Sequence, residues 1–371
     1  MKRYTIVELY AGIARTWEAF RPWSKCKLGL LADINQLAID NYTDNYPSAP
    51  YIRRNLHWLT PPEVEAKVGG KVDILLGCPP CQGFSDTGKR DADDPRNAHI
   101  DVFGKFVKGL MPLAVAMENV PLVASSKRFA RFTRMLDRLG YNWTAEIVNA
   151  AQYGSCQTRQ RLLLVAVHER VKADPKIPKP THGAKGLYFS YQRRRIIPAS
   201  KYETEFLGIT PAAHRVGSQI SVTKRISGRN SVPTIRKVLA GLPPLGTPDA
   251  EVMTHTAWPS SPLMRRRMGN VAEGGRWRGG EDHFSHSYGR LHRRGLARTI
   301  TTYFANAGSG RFWHPTENRP LTIREAARIQ GIEDDFWFHG PMSGISELVG
   351  NALDAAIANV ARQAVQECLE S

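Results

Sequence analysis

The run from Val72 to Leu76, apolar apart from Asp73, ends at Gly77 and is followed after Cys78 by Pro79-Pro80. A run this short bounded by glycine suits a fully buried strand of a parallel sheet better than a helix. The proline pair cannot donate to a ladder and stops strand and helix alike. The chain must therefore leave the sheet at the carboxyl end of this strand, where open α/β sheets place their ligands. Cys81 stands there, followed by Gln82-Gly83-Phe84-Ser85. A thiol at such an edge can meet a substrate. Cys78 and Cys81 are formally a C-x-x-C pair, but a thioredoxin-type site needs its first cysteine at a helix start, and here prolines follow it.

The rest of the amino-terminal half supplies matching pieces. Tyr4 to Tyr10 is rich in β-branched and aromatic residues and meets Ala11-Gly12, which predicts a first strand turning into a helix. Leu28 to Ala32 reads as a second strand with Asp33 directly after it. An acidic residue there, about twenty positions beyond a glycine turn, is placed to accept hydrogen bonds from ribose hydroxyls. Asp33 also precedes the helical stretch Gln36 to Tyr42 and so can equally serve as its N-cap. Further on come a polar loop from Asp86 to Asn97, a helix from Phe103 to Met111, and a buried strand from Leu113 to Met117 that ends in Glu118-Asn119. An amphipathic helix from Arg128 to Leu139 and strands at Trp143–Ala150 and Leu162–Val167 follow. Between these strands lies Gln157-Thr158-Arg159-Gln160-Arg161, whose alternation points Gln157, Arg159 and Arg161 to one face when extended. Alternating strands and helices from Tyr4 to Val167 predict a largely parallel α/β sheet.

At about Lys172 prolines, basic runs (Arg193-Arg194-Arg195, Arg265-Arg266-Arg267) and scattered aromatics replace this pattern. The chain carries 51 Lys and Arg against 34 Asp and Glu, a formal charge of +17. From Lys172 to Ser287 alone the count is 19 against 8. Such an excess, concentrated in one region, favours a polyanionic partner. From Leu321 the helical signal returns: Thr322 and Glu325 form a capping box, and Asn351 to Leu369 reads as one amphipathic helix. Five scattered cysteines argue against a disulfide framework. With no run of eighteen apolar residues and no signal-peptide pattern, the expectation is a cytoplasmic protein without membrane association.

Pro80-Cys81-Gln82-Gly83-Phe84-Ser85, Glu118-Asn119-Val120 and Gln157-Thr158-Arg159-Gln160-Arg161, in that order, resemble the DNA cytosine-5 methyltransferases, of bacterial or phage type. Asp94-Pro95-Arg96-Asn97, Tyr288-Gly289-Arg290-Leu291, Arg298-Thr299-Ile300-Thr301-Thr302, the block from Arg319 to Gly331, and Gly350-Asn351-Ala352 extend the likeness, over roughly positions 4 to 170 and 288 to 362. Two departures stand out. Only Gly12 of the family's first glycine motif is kept, with Ala14 and Arg15 at later positions, and the closing motif, which usually runs on to valine and proline, continues here as Leu353-Asp354.

The resemblance implies an α/β fold: a Rossmann-like S-adenosylmethionine-dependent methyltransferase sheet with helices on both faces, spanning 1–171 and 315–371, plus a smaller irregular basic target-recognition domain at 172–314. It implies S-adenosylmethionine held by Tyr10, Ala11, Gly12, Ile13, Asp33, Ile34, Asp73, Pro80, Asn351 and Ala352, with no metal. It implies catalysis by Cys81, Glu118, Arg159 and Arg161. Cytosine C5 is a poor nucleophile, so Cys81 would add to C6 as thiolate, Glu118 would protonate or hydrogen-bond N3, and the two arginines would stabilise developing charge. The partner implied is double-stranded DNA bound by a monomer, with the target base flipped out, alongside a cognate restriction endonuclease or phage-defence proteins. The alternatives are an RNA (tRNA-type) cytosine-5 methyltransferase, whose Cys-Phe-Thr tripeptide is missing from this sequence, and a catalytically silent DNA-binding partner.

Overall fold

The computed structural model describes residues 3–80, 98–183, 220–222, 230–245, 254–277 and 287–371. Cys81, the expected loop at Asp86–Asn97 and the run Arg193–Arg195 lie outside the described residues.

Alternation of short apolar strands with amphipathic helices builds the first half of the chain. In order these are β1 (Tyr4–Leu9), α1 (Arg15–Phe20), β2 (Cys26–Asp33), α2 (Gln36–Asn45), β3 (Tyr51–Arg53), α3 (Pro61–Val68) and β4 (Ile74–Gly77). They continue with α4 (His99–Leu110), β5 (Ala114–Asn119), α5 (Lys127–Arg138), β6 (Tyr141–Asn149), β7 (Gln157–Thr158) and β8 (Gln160–His168). With β9 (Ile220–Val222) they give a sheet of order β9-β6-β8-β5-β4-β1-β2-β3. Only β8 runs antiparallel to its neighbours, β5 and β6. Every other pairing is parallel, as the sequence pattern predicts. Strand order reverses between β1 and β4, so the crevice beyond the carboxyl ends of these two strands is the topological switch point where such sheets bind ligands.

Successive strand residues point to opposite faces and enter two different cores. Ile74, Leu76, Ala114, Ala116 and Val165 pack with Phe20 of α1 and with Ile357 and Val365 of the final helix. Leu75, Val115, Met117, Leu164 and Ala166 pack with Phe103, Phe106, Phe129 and Phe132 of α4 and α5. Helices therefore cover both faces, which is why β4 and β5 are apolar almost throughout.

The carboxyl-terminal part docks onto the first of these cores. Leu291, Ala297, Ile300, Phe304 and Phe312 belong to it, and β10 (Ala297–Arg298) pairs in parallel with β7. Then come α6 (Ile323–Ile329), α7 (Met342–Asn351) and α8 (Ala355–Glu370). α6 has the expected capping box of Thr322 and Glu325. The helix expected from Asn351 to Leu369 starts four residues later: Asn351 ends α7, Ala352 leaves helical geometry, and Asp354 caps α8 by accepting from Ala356 N at 2.8 Å. Apolar periodicity runs on across the joint and does not register the break. Among the described residues no helix is long and apolar enough to cross a membrane.

Candidate active site

The turn after β1 holds most of the expected cofactor residues. Tyr10, Gly12 and Ala14 all have left-handed backbone, with φ of 56°, 52° and 53°. At Gly12 an added Cβ would meet no heavy atom within 4 Å, so its conformation rather than crowding calls for glycine, and the space above the turn is open. Ala14, with a Cβ, bears the αL cost that a glycine would avoid, about 1 kcal/mol. The turn is pinned from three directions. Ala11 N donates to Ala32 O at 3.2 Å. Tyr51 donates its hydroxyl to Gly12 O at 2.8 Å. Asp33 Oδ2 accepts from Gly12 N at 2.8 Å, while Oδ1 accepts from Ile34 N and Asn35 N. Asp33 is thus the clamp between the two ligand-side turns, and the N-cap of α2 is Asn35, which accepts from Ala38 N. A carboxylate has about four acceptor positions. Three are taken by backbone, leaving Oδ2 room for a hydroxyl. Ile34, beside it, is 58 % exposed although apolar, and Ile13 is buried beneath the turn. Tyr10 turns its hydroxyl to His99 at the start of α4.

Arg15, the other departure from the glycine motif, turns its side chain away from this turn. Its guanidinium donates to Gly331 O at 2.6 Å and Glu333 Oε2 at 3.2 Å, tying α1 to the loop after α6. Asp73 also departs from expectation. It sits at the amino end of β4, accepting from Thr5 N at 2.9 Å near the start of β1. At about 3.3 Å per strand residue, Thr5 and Leu9 are roughly 13 Å apart and the Gly12 turn lies beyond Leu9, so Asp73 belongs to the opposite end of the sheet. The reason is strand direction: a residue before a strand and one after it never share an edge.

At the exit of β4, an added Cβ at Gly77 would fall 2.5 Å from Phe103, so only glycine lets α4 pack here. Asn119 donates Nδ2 to Pro79 O at 3.0 Å and thereby fixes the segment that leads through Pro80 into Cys81. Register pairs Gly77 with Met117, which sets Glu118 level with Cys78. Burial, with the Glu118 carboxylate beside it, pushes the Cys78 thiol well above its usual range, which makes it a packing thiol and a poor nucleophile.

Glu118 and Arg161, read from separate motifs, meet here. Arg161 Nε lies 2.8 Å from Glu118 Oε1. The contact is an ion pair without an aligned hydrogen bond, and Oε1 has no hydrogen-bond partner among the described residues. Arg159 stands otherwise. It is 3 % exposed, and its terminal nitrogens donate to Ile300 O, Gly350 O and Ala352 O at 3.1–3.4 Å. Burial and the neighbouring Arg161 pull its pKa down to about 9, still charged at neutral pH. With both terminal nitrogens on carbonyls, Arg159 supplies positive potential and joins three segments of chain. Asn351 is exposed at the same edge, between the two carbonyls of Gly350 and Ala352.

Beneath the arginines lies a network that the sequence motifs only partly reveal. Gln157, fully buried, donates Nε2 to Gln330 Oε1 at 2.5 Å and to Asp354 Oδ2 at 2.7 Å, and accepts from Ile300 N at 3.1 Å. Asp354 Oδ2 also accepts from Ser155 Oγ at 2.6 Å. The departure from the usual proline is the one signal that marked Asp354. Its partners Ser155 and Gln157 are some 200 positions away in sequence.

The chain's relatives agree with this geometry. The family model described as C-5 cytosine-specific DNA methylase matches residues 4–367. A type II methylase of Herpetosiphon aurantiacus, M.HgiDII, is 29 % identical over 304 residues, covering 80 % of this chain and 77 % of that one. M1.HphI of Haemophilus parahaemolyticus is 27 % identical over 91 % of this chain and 80 % of its own. Among solved structures, Spodoptera frugiperda DNMT2 superposes with a TM-score of 0.63 at 17 % identity, covering 99 % of this chain and all of its own, a likeness of fold. A sheet with its switch point at β1 and β4, a carboxylate and an arginine paired at the edge beside it, and a family match over nearly the whole length lead to one conclusion: the chain belongs to the C-5 cytosine-specific DNA methylase family.

Proposed function

We propose that this DNA cytosine-5 methyltransferase holds S-adenosylmethionine in the crevice beyond β1, β2 and β4. The cofactor residues fit the ligand. The open space over Gly12 admits a close-lying group, the spare acceptor position on Asp33 Oδ2 suits a ribose hydroxyl, and the bare face of Ile34 suits an adenine ring. Pro80, Asn351 and Ala352 lie on the same side; Asp73 does not. The cofactor supplies the methyl group. The protein's own part begins with Cys81, whose thiolate adds to C6 of the extruded cytosine while Glu118 delivers a proton or a short hydrogen bond to N3, where negative charge would otherwise collect. Arg161 orients Glu118 and faces the base, and Arg159 raises the local positive potential, which also favours the thiolate. C5, now nucleophilic, takes the methyl; loss of the C5 proton to a base then lets the Cys81 sulfur leave with the electron pair of its bond to C6. The basic stretch 172–314 reads the DNA, its last part being mounted on the catalytic core through β10.

The observation that carries this reading is the Arg161–Glu118 pair at the edge where Asn119 fixes Pro79. Transfer of labelled methyl groups to duplex DNA and to tRNA, measured side by side, tests it. Activity on DNA that is lost in Cys81→Ser, with the fold intact by circular dichroism, is the expected result. Undiminished activity in that variant removes Cys81 as nucleophile, and labelling of tRNA alone moves the enzyme to RNA.

A further inference from the structure

We infer that Tyr303 is the side chain that stacks into the DNA where the target cytosine leaves it, an inference resting on the methyl-transfer reading above. Tyr303 is 74 % exposed, yet its backbone is held on every side. Tyr303 O accepts from Ser309 Oγ at 2.5 Å and from Asn306 N at 2.9 Å. Phe304, next in sequence, is fully buried and meets Trp258 edge-on with ring centroids 6.5 Å apart. On the other side Thr302 O accepts from Ser346 Oγ at 2.8 Å, and Thr302 N lies 2.4 Å from where a Cβ on Gly350 would stand. A large aromatic offered to water from a rigid turn buries little area in the isolated fold, and ordering it in advance removes much of the entropic cost of a contact.

The position of that turn makes it functional. Ile300, three residues earlier, takes Arg159 Nη1 on its carbonyl at 3.2 Å and donates its N–H to Gln157. Three residues span at most about 10 Å, so Tyr303 stands within about 10 Å of the residue whose carbonyl takes Arg159, and it lines an open cavity with Trp258, Asn306, Ser343 and Glu347. Trp58 and Trp337 are also exposed, but neither lies on a segment bonded to Arg159: Trp58 is in the β3–α3 loop, and Trp337 N is bonded to Asn45 of α2. Extruding a base breaks its stacking and pairing, and an aromatic ring is the side chain best able to replace the lost stack with any neighbouring base.

The test compares wild type, Tyr303→Ala and Tyr303→Phe on two duplexes that carry the target site, once bisulfite-type sequencing of a host expressing the enzyme has identified it. In one duplex the target cytosine is paired; in the other it faces an abasic position and needs no unpairing. We expect Tyr303→Ala to lower kcat/KM on the paired duplex by about 10- to 100-fold, the size of one base–aromatic stack, and to recover to near wild type on the abasic-opposed duplex. Tyr303→Phe should match wild type on both. Equal activity of Tyr303→Ala and wild type on the paired duplex overturns the inference, as does a defect equally large on both. A wild type inactive on both removes the methyl-transfer reading instead.

Discussion

Replacing Asp354 with alanine tests whether the buried network under the arginines holds the site together. The carboxylate is 1 % exposed and accepts three hydrogen bonds, from Ala356 N, Ser155 Oγ and Gln157 Nε2. Loss of the N-cap of α8 costs about 1 kcal/mol. The Ser155 hydroxyl and one N–H of Gln157 are left without this acceptor, at about 1–3 kcal/mol each. Against this, burial raises the carboxyl's pKa, so removing a poorly solvated charge returns part of the loss. The net expectation is roughly 2–4 kcal/mol, read by urea unfolding, or about 4–8 °C in Tm at ~2 °C per kcal/mol. Asp354→Asn keeps an acceptor for Ala356 N and should lose about half as much. Because Gln157 sets the register of the segment bearing Arg159 and Arg161, kcat should fall in Asp354→Ala at temperatures where the fold is intact. A stability change below about 0.5 kcal/mol together with unchanged kcat would refute the view that this carboxylate organises the site.

Glu118→Gln keeps the shape of the side chain but not its acid proton, and should reduce kcat by about 10²-fold or more with DNA affinity little changed; near-normal single-turnover methylation would exclude Glu118 as the proton donor. Glu8 is buried under the start of α1, accepts from Trp17 N, and has its pKa raised by burial to about 7. A carboxyl whose folded pKa lies above its unfolded value stabilises most below the unfolded pKa, near 4.5, and loses that contribution as pH rises through about 7. Glu8→Gln should therefore gain on wild type between pH 5 and pH 8, by about 3 kcal/mol at 1.36 kcal/mol per unit, in urea melts at the two pH values; a pH-independent difference would contradict it. Binding to duplex DNA should weaken by on the order of a hundredfold between 50 and 200 mM salt, and an affinity indifferent to salt would remove the polyanion reading of the basic region.

Sequence determined what is local or repeats at a fixed period. The apolar runs ended by Gly12, by Gly77 and the proline pair, and by Asn119 specified strands of a mostly parallel sheet and the edge at which each stops, because side-chain alternation and backbone breakers act over a few residues. Edge position in turn gathered Gly12, Asp33, Pro80 and Glu118, which stand at or just past the carboxyl ends of parallel strands, with Arg161, which opens the antiparallel β8 at the same end of the sheet. Tertiary structure decided which polar groups meet. Asp73 precedes its strand and so lies at the far edge. Arg15 found Gly331, Arg159 found the carbonyls of Ile300, Gly350 and Ala352, and Asp354 found Gln157, partners between 141 and 316 positions apart. No periodicity records such pairs. They form because burial leaves a charged group one way to remain stable, and which donor or carbonyl is within reach depends on how distant segments pack.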